Sequence, residues 1–150
     1  MVDPGQFTGP LPMDDSVRAS EVTANVPFVY LTVDDMARSL TFYKHLGFTF
    51  PLEAFSEPHV EAELKNGLLI FWNHIDYVRI YAPDYHPAPH GRCGMAFQLE
   101  SPAAVDALFH KLKQLDYQVD RTPWDSPWGH RYAVIYDPDG NSINIFAPHS

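Results

Sequence analysis

The chain of 150 residues holds one cysteine, Cys93. An intramolecular disulfide and a cysteine-based zinc site are therefore excluded, and a reducing compartment fits. Cations are scarce: ten Lys and Arg stand against nineteen Asp and Glu, for a formal net charge of −9. With no basic cluster to displace counterions from phosphates, the composition argues against nucleic acid and against an anionic membrane surface. A cationic small molecule is compatible with this balance, although surface charge that merely solubilises accounts for it equally well. No apolar run approaches the ~20 residues of a membrane span. Residues 1–25 contain four acidic residues and three prolines. They lack the basic start and apolar middle of a signal peptide, so an arm or disordered tail in a cytoplasmic protein is expected.

What is present is ordinary for a globular protein, with 45% hydrophobic and 19% charged residues. The length suits one domain with a true core. The organising stretch is Trp124–Phe146. Two β-rich runs, Arg131–Tyr136 and Ser142–Phe146, flank Asp137-Pro138-Asp139-Gly140, a tight-turn sequence in which Asp137, Asp139 and Gly140 are assigned to the reversal. Two tryptophans, Trp124 and Trp128, precede it.

From the start, Pro27–Val33 alternates as a strand, with Phe28, Tyr30 and Thr32 on one face and Val29, Leu31 and Val33 on the other. Asp34-Asp35 is an N-cap signal. Met36, Leu40, Tyr43 and Leu46 recur at helical spacing, and Gly47 closes the helix. Strands are expected at Phe48–Phe50, His59–Lys65 and Leu68–His74, the last two joined by the hairpin pair Asn66-Gly67. The proline-rich stretch 76–92 reads as a linker. The order then repeats. Gly94–Leu99 reads as a strand, Pro102–Leu115 as a helix with Ser101 as its cap, and Tyr117–Arg121, Arg131–Tyr136 and Ser142–Ala147 as strands. Phe28 and Gly94 stand 66 positions apart, as do Asp35 and Ser101. The expected fold is α+β: two βαβββ modules, 26–75 and 93–148, in a single domain over 26–150. The sheet face opposite each helix, carrying Phe28 and Tyr30 with Ile70 and Trp72, is too apolar to be left wet. Two such faces turned toward each other would enclose a cleft.

Two segments carry a resemblance. L-T-V-D-D-M-A-R-S-L-T-F-Y-K-H-L-G-F at Leu31–Phe48 and P-W-G-H-R-Y-A-V-I-Y-D-P-D-G-N-S-I-N-I at Pro127–Ile145 resemble the first strand and helix, and the last hairpin, of the vicinal oxygen chelate superfamily. That group spans glyoxalases, extradiol dioxygenases and fosfomycin and bleomycin resistance proteins. The resemblance implies paired βαβββ modules around a U-shaped cleft, in a homodimer. It also implies four metal-ligand positions, which fall here at Phe28, Ile70, Gly94 and Asn144. None of these is a good donor for a divalent metal, so no metal and no other cofactor is expected. The likeness is greatest to the metal-free bleomycin-resistance type, through Pro127-Trp128-Gly129 and Phe71-Trp72-Asn73-His74.

The function expected is therefore metal-independent binding of an aromatic small molecule, neutral or cationic, as in antibiotic sequestration. Phe28, Tyr30, Ile70 and Trp72 would form an apolar floor. Trp124 and Trp128 would stack on the ligand. His74, Gln98, His130, Arg131 and Asn144 would supply hydrogen bonds or charge. No catalytic residue is assigned. The alternative is a metal-dependent lyase, isomerase or dioxygenase of the same superfamily, with ligands displaced to His59, Glu61, Glu63, His74 or His130. A filled, non-binding interior is a third reading.

Overall fold

A computed structural model describes residues 18–91 and 93–149. Most of the arm expected over 1–25 lies outside the described residues; 18–25 are exposed and form neither helix nor strand. The chain divides into two compact units, one of Thr23–Gly91 with Pro138–Gly140 and one built mainly from 93–137 and 141–149.

The first unit opens with β1 (Phe28–Val33) and α1 (Met36–Lys44). Asp35 caps α1 by accepting the Arg38 N–H at 3.0 Å. Met36, Leu40, Phe42 and Tyr43 give the helix its buried face. Gly47, at φ +104, takes the left-handed conformation that ends it. A 3-10 turn (Leu52–Ser56), β2 (His59–Glu63), β3 (Leu69–His74) and α2 (Ile75–Tyr81) follow. The sheet order is β1-β3-β2, with β1 parallel and β2 antiparallel to β3.

Two expectations differ here. Phe48–Phe50 forms no strand. Its Phe48 N–H turns back to the Tyr43 carbonyl. The Phe48 and Phe50 rings stack at 5.8 Å and both meet the edge of Trp72 at 5.3 Å. The side chains thus serve the core while the backbone joins no ladder. The stretch read as a linker, in turn, opens with helix α2, which begins at Ile75. The His74 ring caps it, accepting the Asp76 N–H at 3.1 Å.

The second unit contains β4 (Gly94–Gln98), α3 (Pro102–Gln114), β5 (Val119–Asp125), β6 (His130–Tyr136) and β7 (Ser142–Pro148), in the order β4-β7-β6-β5. Ser101 caps α3 through the Ala104 N–H, with Pro102 in the first turn, as the sequence predicts. Val105, Phe109 and Leu112 of the helix pack with Ala133, Ile135, Ile143, Ile145 and Ala147, all fully buried. This is an α+β fold of two helix-covered sheets, one of three strands and one of four. Among the described residues no helix is long and apolar enough to cross a membrane.

Candidate functional site

Register decides which side chains share a face. In the first sheet Leu31 pairs with Trp72 and Val29 with Ile70, whereas Tyr30 pairs with Phe71 and Phe28 with Leu69. Ile70 and Trp72 therefore lie on the helix-covered side, 1% and 0% exposed, while Phe28 and Tyr30 on the opposite side are 42% and 43% exposed. The floor expected from Phe28, Tyr30, Ile70 and Trp72 is split between two faces. Trp72 is the centre of the core, meeting Tyr43, Phe48 and Phe50 edge-on.

The open face of the first sheet is aromatic nonetheless. Phe28 stacks on Phe71 at 4.2 Å, and Tyr30 meets Tyr81 of α2 edge-on. His59 stacks on Tyr77 at 5.0 Å. Its ring nitrogens lie 2.6 Å from Asn73 Oδ1 and 2.6 Å from Glu61 Oε2. A doubly protonated ring satisfies both acceptors, a neutral one only one. Asn73 is fixed from its other end, donating to the Tyr81 hydroxyl at 3.3 Å. Burial raises the Tyr81 phenol above its ordinary value, and hydrogen bonding to Tyr30 adds to this. His74 does not join this face. Its Nε2 lies 3.0 Å from the Asp34 carbonyl oxygen and its Nδ1 caps α2, so it is a structural brace.

The second sheet gathers more of the expected residues. Ser126-Pro127-Trp128-Gly129 forms a tight turn, with Pro second and Gly129 at φ +89, closed by the Gly129 N–H on the Ser126 carbonyl at 3.1 Å. The Ser126 hydroxyl is locked to both the N–H and the carbonyl of His130. This turn sets Trp128 beside the face opposite α3. There Trp128 meets Trp124 at 5.9 Å and Tyr132 at 5.5 Å, both edge-on. Phe146 stacks on His130 at 4.9 Å and on Tyr132 at 5.9 Å. Asn144 donates to the Tyr132 hydroxyl at 2.8 Å. Burial raises the Tyr132 phenol above its ordinary value, and the Asn144 bond opposes that. Gln98 lies along the same face on β4 and is exposed.

His130 is the unusual group. It is 7% exposed, and its buried Nδ1 has no hydrogen-bond partner. Burial holds its imidazole below the ordinary value of 6.5, and the charge of His149 adds to this. A neutral ring with a spare nitrogen, stacked on Phe146, is a polar point in an aromatic surface.

Arg131 is a correction. It points to the helix side, where Nε donates to Asp106 of α3 at 2.8 Å and Nη1 to Asp125 at 3.2 Å. The Asp106 bond raises the guanidinium further, so Arg131 is committed to α3 and is no clamp for a ligand. Trp124 is partly committed too: the Arg121 guanidinium sits 3.8 Å over its ring.

The metal positions implied by resemblance do not fit a metal. Register replaces Ile70 on the open face by Leu69 and Phe71, which are no better donors. Phe28 has no donor atom, and Asn144 is bonded to Tyr132. At Gly94 even a Cβ would lie 3.2 Å from the Ser142 carbonyl oxygen. Among the described residues, no three of His, Cys, Asp and Glu come together to hold an ion. Of the displaced candidates, His59 and Glu61 are paired with each other, while His74 and His130 stand elsewhere in the fold.

The model of the Glyoxalase/Bleomycin resistance protein/Dioxygenase superfamily matches residues 25–145. No curated protein matches the chain. Among solved structures, a family enzyme from Burkholderia phytofirmans superposes with a TM-score of 0.70 at 17% identity, covering 84% of this chain and 100% of that one. A hypothetical protein from S. aureus gives 0.69 at 19% identity, covering 85% and 95%. A glyoxalase/bleomycin resistance protein/dioxygenase from Nocardioides gives 0.62 at 23% identity, covering 86% and 87%. At these identities the likeness speaks for the fold.

Proposed function

We propose that this chain, which belongs to the Glyoxalase/Bleomycin resistance protein/Dioxygenase superfamily, binds a planar aromatic small molecule without a resident metal. The observation that carries this reading is the unpartnered Nδ1 of His130 within the aromatic surface of Trp128, Tyr132 and Phe146. Apolar surface with a few convergent polar groups is what small-molecule sites are built from. Affinity would come from stacking on Trp128 and Phe146, with His130 accepting from or donating to a ring substituent and the Asn144–Tyr132 pair fixing orientation. A ligand cation would be attracted by the same aromatic faces. The task fitting such a site is sequestration of the bleomycin-resistance kind, by a cytoplasmic homodimer; light scattering on the purified protein tests the dimer.

Tryptophan fluorescence titrated with a panel of planar aromatic drugs tests the binding. Saturable quenching by at least one compound, weakened about tenfold or more in Trp128→Ala, is expected. Quenching by none, or equal quenching in the variant, rejects the reading.

One pair favours the second reading, an enzyme: His59 and Glu61 in contact on the open face of the first sheet. Relatives described as a family enzyme and a glyoxalase-related enzyme point the same way. Stoichiometric divalent metal in protein purified without chelators, lost in His59→Ala, would establish it.

A further inference from the structure

The two sheets differ by one strand, and the difference leaves a slot. In the second sheet β5 pairs along the outer side of β6. In the first, β2 is the edge strand, with β3 on one side of it and no further strand on the other among the described residues. Along that edge lies a cavity of about 500 Å³, lined by β2 and by Gly47–Pro51 and within the range of small ligand sites.

The slot has two kinds of wall. The His74 N–H bonds to the Pro58 carbonyl and the Leu64 N–H to the Leu68 carbonyl, which fixes the phase of the β2–β3 ladder. Antiparallel bonding alternates along a strand. Residues 58, 60, 62 and 64 therefore turn their backbone toward β3, and His59, Glu61 and Glu63 turn theirs into the slot. Glu53, Glu57, Glu61 and Glu63 all line it, and no Lys or Arg does. Phe48, Phe50, Val60 and Ala62 supply the apolar part. Charged residues on an edge strand can serve merely to prevent pairing. An edge blunted for that purpose alone faces water; this one faces an aromatic wall across a gap.

We propose that this slot is a strand-addition site for an extended segment of another protein in which Lys or Arg alternates with small apolar residues. Main-chain bonds to His59, Glu61 and Glu63 would supply affinity, and alternate side chains specificity. The cationic residues of an added strand would fall beside Glu61 and Glu63, the apolar ones beside Val60 and Ala62. Other occupants are disfavoured by charge. A second copy pairing through β2 would set Glu61 and Glu63 against their own counterparts. The segment 1–17 carries Asp3, Asp14 and Asp15 and no Lys or Arg.

The test uses the full chain and three synthetic peptides: Lys-Val-Lys-Ala-Lys-Val-Lys, its counterpart with Glu for Lys, and the lysine peptide N-methylated at alternate residues. Hydrogen exchange read by NMR should show the lysine peptide slowing the amides of His59, Glu61 and Glu63. The other two peptides should bind about tenfold or more weakly. In the Glu57→Lys, Glu63→Lys double variant, with its fold confirmed by the same spectra, two cations balance the remaining Glu53 and Glu61 and the preference for the lysine peptide over the Glu peptide should be lost. No binding of the lysine peptide, equal binding of the N-methylated one, protection confined to other amides, or dimerisation through β2 would each overturn the proposal.

Discussion

Trp72 and Phe28 show what a residue's surroundings decide. Both are aromatic residues in strands of one sheet, yet one is fully buried and the other 42% exposed. Trp72→Ala should lower stability to urea by about 3–5 kcal/mol, as large-to-small changes in packed cores do, while Phe28→Ala should cost well under half of that. Equal losses would contradict the assigned faces. Alternation along each strand was legible in the sequence: Val29 and Leu31 share the side of Ile70 and Trp72, and Val33 is fully buried, although Val29 at the strand's start is 37% exposed. The phase of one strand against its neighbour was not, because a shift of one residue exchanges every side chain between faces. That single unknown misplaced Ile70 and Trp72. Arg131 escaped for a different reason: Asp106 is 25 positions away in sequence, and only packing of α3 brings it within 2.8 Å.

His130 gives a prediction in pH. Its folded imidazole titrates below the ordinary 6.5 that the unfolded chain keeps. Between the two values the unfolded state holds more protons, so stability falls as pH drops through 6.5 and levels once the folded ring itself takes up a proton. Above 6.5 the group contributes no slope. Denaturation followed between about pH 5 and 8 should show a gentler acid decline in His130→Gln than in the parent, and an unchanged decline would contradict the burial of this ring.

Among the elements, the β6–β7 hairpin was the most legible. Asp137 accepts the Asn141 N–H at 2.8 Å and, through its second oxygen, the Asn141 side-chain amide at 2.9 Å, as a turn carboxylate should. Asp139 does more than turn the chain. It accepts the Asp34 N–H at 3.1 Å and lies 3.4 Å from the Arg38 guanidinium. Gly140 has φ +85, and a Cβ there would collide with the Pro89 carbonyl. Gly140→Ala should therefore cost more than the roughly 1–3 kcal/mol of left-handed strain alone; thermal unfolding indistinguishable from the parent would contradict this. The elements misread are short. Phe48–Phe50 has strand composition, but its rings are drawn onto Trp72 and it joins neither sheet. Helix α2 has only seven residues, several with strand preference, and its cap is a histidine.

At the scale of the molecule, the duplicated order of elements and the motifs at Leu31–Phe48 and Pro127–Ile145 were enough to reach the superfamily, whose model matches 25–145. The residue types at the implied ligand positions were legible too, and register changes which first-sheet residue stands on the open face. The state of His130 was not legible. Its burial and its spare nitrogen depend on the Ser126–Gly129 turn and on Phe146, contributed by the next strand. Aromatic binding as proposed here owes nothing to a metal. The most direct measurement is calorimetric titration of one quenching aromatic compound into chelator-treated protein, repeated after adding back a divalent metal. The same affinity in both is predicted; binding that appears only with the metal would contradict the account.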